Sequence, residues 1–156
     1  MASSFSTNLR LELMTTGEKT NTWGSITNIN LGTLLEKAIS GVLAFTHDDS
    51  ATDTLTALNG SDDESRNMII EVSGHTTTRN LVCPTADKVY FINNTETTPG
   101  DDIVFKTSAG TGVTIPAGKK MGVYCDSTNV VDLIDNLPSG ATVGDDEIVT
   151  LPHPRP

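Results

Sequence analysis

The chain predicts a mainly β fold, an antiparallel β-sandwich or jelly-roll-like domain preceded by one N-terminal α-helix. Three observations lead there. A single stretch after Thr22 carries helical spacing, with Ile26, Leu31, Leu34, Leu35, Ala38, Ile39 and Val42 apolar and Asn28, Asn30, Glu36 and Lys37 polar. Beyond Gly41 the period changes to short apolar, β-branched or alternating runs that return about every eight to twelve residues. The composition agrees: 36% hydrophobic and 4% aromatic residues give a modest core of Val, Ile and Leu, while 19% charged residues are too few for a disordered chain.

Taken in order, residues 1–41 read as an N-terminal extended segment and a helix. Asn21 or Thr22 can cap the helix start through a side-chain oxygen, and Gly41 is placed to end it in a left-handed conformation. The helix is expected over 22–40. Gly32 inside it points either to close approach by another backbone or to a merely tolerated glycine. Residues 42–136 read as the β-domain, with strands expected at 42–46, 52–58, 67–73, 79–83, 88–93, 103–107, 112–115, 119–125 and 129–134. Each is bounded by turn chemistry, as at Asn59-Gly60, Ser73-Gly74, Pro99-Gly100, Pro116-Ala-Gly118 and Asp126-Ser-Thr-Asn129. Residues 137–156 form a Pro- and Gly-containing tail or linker, whose final prolines forbid helix. No internal repeat of solenoid or propeller type is visible, and no heptad stretch is long enough for a coiled-coil shaft. At 156 residues the chain suits one domain with a real core.

A net charge of −10, with Lys119-Lys120 the one adjacent basic pair, argues against nucleic acid as a partner, because neutralising phosphates takes clustered cations. The N-terminus shows no basic segment followed by an apolar run, so synthesis in a cytosol without a secretory signal is expected. No apolar stretch approaches the length of a membrane span. Cys83 and Cys125 fall in strands and read as buried free thiols.

Nothing in the chain assembles a catalytic constellation, so no enzyme activity, cofactor or metal is expected. His47, His75 and His153 are far apart and read as solvent-exposed turn or tail residues. Acidic groups at Asp48-Asp49, Asp62-Asp-Glu64, Asp101-Asp102 and Asp145-Asp-Glu147 lack the spacing of an EF-hand loop. Asp62-Asp-Glu-Ser-Arg66 suits a helical first turn or a wide turn leading into an apolar strand. Gly110-Thr-Gly112 reads as a hairpin turn, since a strand rather than a helix follows it. Trp23 reads as an anchor between helix and sheet or as a contact with a partner subunit, and Tyr90, Phe91, Phe105 and Tyr124 as core or sheet-surface residues.

Several segments together resemble bacteriophage tail-fibre and related virion proteins, as in phages of aquatic bacteria. These are Asn8-Leu-Arg-Leu-Glu-Leu13, Thr16-Gly-Glu18, Thr22-Trp-Gly24, Leu31-Gly-Thr-Leu-Leu-Glu36 and Ala38-Ile-Ser-Gly41, then Ala57-Leu-Asn-Gly60, Asp63-Glu-Ser-Arg-Asn67, Val89-Tyr-Phe-Ile-Asn-Asn-Thr95, Gly110-Thr-Gly-Val-Thr-Ile-Pro-Ala-Gly118 and Asp126-Ser-Thr-Asn-Val-Val131. The resemblance implies a virion structural protein, a tail fibre or fibre-attachment component concerned with host adsorption and assembly. Its chain would form a homotrimer, made in the host cytoplasm and meeting other tail or capsid proteins, with a host surface glycan or receptor as a further partner. A capsid-decorating or head-fibre protein is the alternative, followed by a carbohydrate-binding module or a polysaccharide-degrading spike. On the virion reading the helix supplies the assembly interface, through Trp23, Ile26, Leu31, Gly32, Leu34, Leu35 and Ile39.

Overall fold

The computed structural model describes residues 4–134, and the expectations for the tail at 137–156 and for His153 lie outside them. The fold is mainly β, as the alternating runs require. A short antiparallel pair, β1 (Ser4–Phe5) and β2 (Glu12–Leu13), leads into one 18-residue helix, α1. That helix runs unbroken through Trp23–Ile29, a π-helical segment Asn30–Leu35 and Glu36–Ser40.

The strands that follow are β3 (Val42–Thr46), β4 (Thr52–Thr54), β5 (Ile69–Ser73), β6 (Arg79–Cys83), β7 (Asp87–Asn94), β8 (Ile103–Thr107), β9 (Gly112–Ile115), β10 (Lys120–Asp126) and β11 (Val130–Asp132). They form a five-stranded sheet in the order β11-β10-β7-β5-β3 and a four-stranded sheet in the order β4-β6-β8-β9. Both sheets feed one core, in which Phe45, Ile70, Val72, Tyr90, Ile92 and Val123 of the first meet Leu81, Cys83, Ile103, Phe105 and Ile115 of the second. The inward positions alternate along each strand, as the period of two dictates. Tyr90 and Phe105 meet edge to face across the core, their centroids 5.1 Å apart.

Strand direction corrects the antiparallel expectation. Consecutive strands from β3 to β8 alternate between the two sheets, so β3, β5 and β7 run parallel to one another, as do β4, β6 and β8. Within these two sheets the antiparallel pairings are those of β7 with β10, β10 with β11 and β8 with β9, which close the winding at one side. The chain therefore coils, although its sequence carries no repeat. Register explains why: Val42 pairs with Ile69 and Ile69 with Phe91, so successive coils take 27 and then 22 residues, and insertions at the corners erase any fixed period.

Local details follow the side chains. Gly41 ends α1 in an extended conformation (φ −68°, ψ 138°) and not the expected left-handed one. Its glycine is required by proximity, since a Cβ there would lie 2.6 Å from both Asn67 Oδ1 and the Lys37 carbonyl oxygen. Thr22 provides no side-chain cap, and its hydroxyl instead donates to the Lys19 carbonyl. Asp63 caps a 3₁₀ turn at Glu64–Arg66 by accepting the Arg66 N–H, as the acidic turn before an apolar strand suggested. The β8–β9 hairpin confirms the turn read at Gly110-Thr-Gly112. Cys83 and Cys125 are buried free thiols in strands β6 and β10, as expected. Among the described residues no helix is long and apolar enough to cross a membrane.

Candidate assembly surface

An 18-residue helix in water is marginal unless a face of it is packed. Helix α1 buries a single side chain, Leu34, which is fully enclosed. Trp23 (63% exposed), Leu31 (57%) and Ile39 (63%) stand in solvent, Ile29 is likewise exposed, and Ile26 and Leu35 are half-buried. Trp23 is therefore no anchor between helix and sheet. Leu34 is turned into the chain's own body, which removes it from the set available to a neighbour. No atom outside the helix backbone lies within 4 Å of the position a Cβ would take on Gly32, so within its own chain that glycine marks no close approach. Asn30, at the start of the π-helical segment, reaches across to the extended segment: its Nδ2 donates to the Glu12 carbonyl at 2.8 Å and its Oδ1 accepts the Glu12 N–H at 3.1 Å.

The end of the core nearest that segment is closed by charge. Arg66 (4% exposed) and Asp63 (8%) form a buried pair at 2.8 Å, and the guanidinium also donates to the carbonyls of Leu9, Leu58 and Ser61. Beside them Lys88 Nζ donates to the Ser65 and Asn67 carbonyls at 2.9 and 2.8 Å and lies 3.9 Å above the Tyr90 ring. The small pocket among these residues has room for about one water molecule, so it offers no substrate site.

Burial pushes the Lys88 ammonium down to about 7, with Asp63 pulling in the opposite direction. The folded chain thus releases a proton that the unfolded chain keeps, and stability should rise with pH above about 7, by about 1 kcal/mol per pH unit. Burial pushes the Cys83 thiol and the Tyr90 hydroxyl up, so each adds the opposite slope once its unfolded counterpart ionises, from about pH 8.5 upward. Urea midpoints measured from pH 6.5 to 10 should therefore pass through a broad maximum near pH 9. In Lys88→Met the rising limb should vanish; a rising limb identical to the wild type's would show that Lys88 is not its source.

The histidines depart furthest from expectation. His47 and His75 are both 2% exposed, at the corners that follow β3 and β5 in successive coils, with ring centroids 5.9 Å apart. His47 Nε2 lies 3.1 Å from the Asn80 carbonyl and His75 Nε2 3.1 Å from that of Asp101, so each Nε2–H donates to a carbonyl of the next stretch of chain. Asp49 ties the same corners together: it accepts from the Thr76 hydroxyl and N–H and from Arg79 Nε, and the Thr76 bonds hold its carboxyl down at about 2.

His47, Asp48 and Asp53 also bring one donor atom each within 4.8 Å of one another, an imidazole and two carboxylates that would suit a divalent transition ion better than Ca²⁺. The turn itself accounts for this arrangement. His47 Nδ1 accepts the Asp49 N–H, Asp48 Oδ1 the Ser50 N–H and Asp53 Oδ2 the Asp48 N–H.

Sequence reasoning did not single out the outer face of the five-stranded sheet. Val42, Phe91, Val131 and Leu133 are exposed there. The signal was present in Val89-Tyr-Phe-Ile92, because an unbroken apolar run places apolar side chains on both faces of its strand.

No family model, curated protein or solved structure matches the chain.

Proposed function

We propose that this chain is a non-enzymatic virion structural protein of the bacteriophage tail-fibre kind, assembling as a homotrimer through helix α1. The observation that carries the assembly part is the helix itself. Eighteen residues with one buried side chain and Trp23, Leu31 and Ile39 in solvent lack the packing that holds a helix of that length together, and a neighbouring subunit would supply it. The groups with shifted ionisation at Cys83, Lys88 and Tyr90 face the chain's own core and carbonyls. The phage assignment rests on the segments that resemble tail-fibre proteins.

Multi-angle light scattering at micromolar concentration tests the assembly. The expected mass is three chains or a multiple of three, and a monomer mass across the concentration range would refute the trimer. Cryo-electron microscopy of virions made with and without the protein tests the location, the expected result being density lost from the tail.

A further inference from the structure

We propose that the outer face of the five-stranded sheet is a second assembly surface, and that its occupant is another copy of this chain related by a twofold axis. Three rows of side chains cross the middle of that face, and a further row at the strand ends holds Asp87 and Asp126. Register places Val42, Ile69, Phe91 and Gly122 in one row, which Leu133 extends through its bond to the Gly122 carbonyl. A second row holds Ala44, Glu71, Asn93 and Lys120, and a third holds Val89, Tyr124 and Val131. Val42 is 57% exposed, Phe91 42% and Leu133 45%, so the central row is an apolar band across the full width of the sheet with nothing over it among the described residues.

Charge identifies the occupant. Within the three middle rows the charged side chains are Glu71 and Lys120, one on each side of β7, both facing Asn93 in the register. Glu71 accepts from Asn93 Nδ2 at 3.0 Å, and Lys120 makes no ion pair among the described residues. A twofold axis lying in the interface along β7 exchanges the two flanks. It brings Glu71 over the second copy's Lys120 and Lys120 over its Glu71, sets Phe91 against Phe91 and Val42 against Leu133. The three middle rows are thus complementary to themselves in both charge and apolar character, which is the condition for an isologous contact, and the Asp87–Asp126 row lies beyond them at the strand ends. Two sheets meeting this way pack with aligned strands about 10 Å apart, the ordinary geometry of a sandwich. The contact uses none of the helix side chains Trp23, Leu31 and Ile39, so it joins copies independently of the helix-borne trimer.

Sedimentation equilibrium tests this with charge reversal. Glu71→Lys and Lys120→Glu should each weaken the pairing at least tenfold, and the double variant Glu71→Lys/Lys120→Glu should recover it to within about threefold of wild type. Phe91→Ser should abolish it while leaving the β-rich circular dichroism unchanged. In a Leu31→Asp background, where the helix contact is removed, the protein should remain a dimer that the same reversals dissociate. A Leu31→Asp protein that is strictly monomeric would overturn the sheet contact while leaving the helix reading intact. Single reversals without effect, or a double variant no better than either single, would overturn the twofold arrangement. A face that binds only a different protein would do the same.

Discussion

Replacing Arg66 with alanine should cost the fold about 3–5 kcal/mol, the range for breaking a buried pair and leaving one charge behind. The guanidinium is 4% exposed and Asp63 8%, so the carboxylate left by the substitution has little access to water. Asp63 would keep the N–H bonds of Leu58 and Arg66 and the Ser65 hydroxyl, which limits the damage on its own side. The carbonyls of Leu9, Leu58 and Ser61 lose their shared donor at the same time. The first of these lies in the extended N-terminal segment, so the segment should come loose as the domain weakens. Urea unfolding followed by circular dichroism measures the loss, and Asp63→Asn in the same chain should restore part of it by removing the stranded charge. A loss below about 1 kcal/mol for Arg66→Ala would show that the pair is not the closure inferred from its burial.

That closure also shows where sequence reading reached its limit. Asp62-Asp-Glu-Ser-Arg66 was legible as a capped turn because capping is a local matter: one carboxylate and an N–H three residues on. That Arg66 also holds Leu9 was not legible, since 57 residues separate them and nothing local marks the pairing. The same division runs through the β-domain. The strands at 42–46, 79–83, 103–107 and 112–115 were readable to the residue from alternation and flanking turn residues. Their directions were not, because a short polar turn that reverses a hairpin and one that carries a strand into the opposite sheet draw on the same Gly, Asp, Ser and Thr. His47 and His75 were misread for that reason. A histidine among aspartates or threonines looks like a solvated loop residue, whereas at the corner of a coil the side chain turns inward and donates to the next carbonyl. The helix was legible from its period, while the division of its apolar residues into one buried and several exposed was not. Helical spacing reports that a stripe exists, and what the stripe meets depends on the position of the rest of the chain.

The division within that stripe leads to a pair of substitutions with opposite outcomes. Leu34→Asp should destabilise the protein by several kcal/mol, because Leu34 is fully enclosed within its own chain and a carboxylate there has neither water nor a partner. The expected result is loss of helical signal and a lowered urea midpoint, with any change in mass following from the damaged fold. Leu31→Asp, only three residues away, should leave circular dichroism and midpoint at constant chain association close to those of the native protein, because Leu31 is 57% exposed and a charge there remains hydrated. Its effect should appear in assembly, where a carboxylate placed between packed helices would go unpaired, so that the trimer dissociates while the β-domain stays folded. Ile39→Asp, 63% exposed at the far end of the helix, should repeat the Leu31 result, and Trp23→Ser should weaken the trimer without adding a charge. Circular dichroism and scattering mass recorded on the same samples separate the two roles. A native-like spectrum for Leu34→Asp would contradict its place in the chain's own body, and an unchanged trimer mass for Leu31→Asp and Ile39→Asp together would remove helix α1 from the assembly.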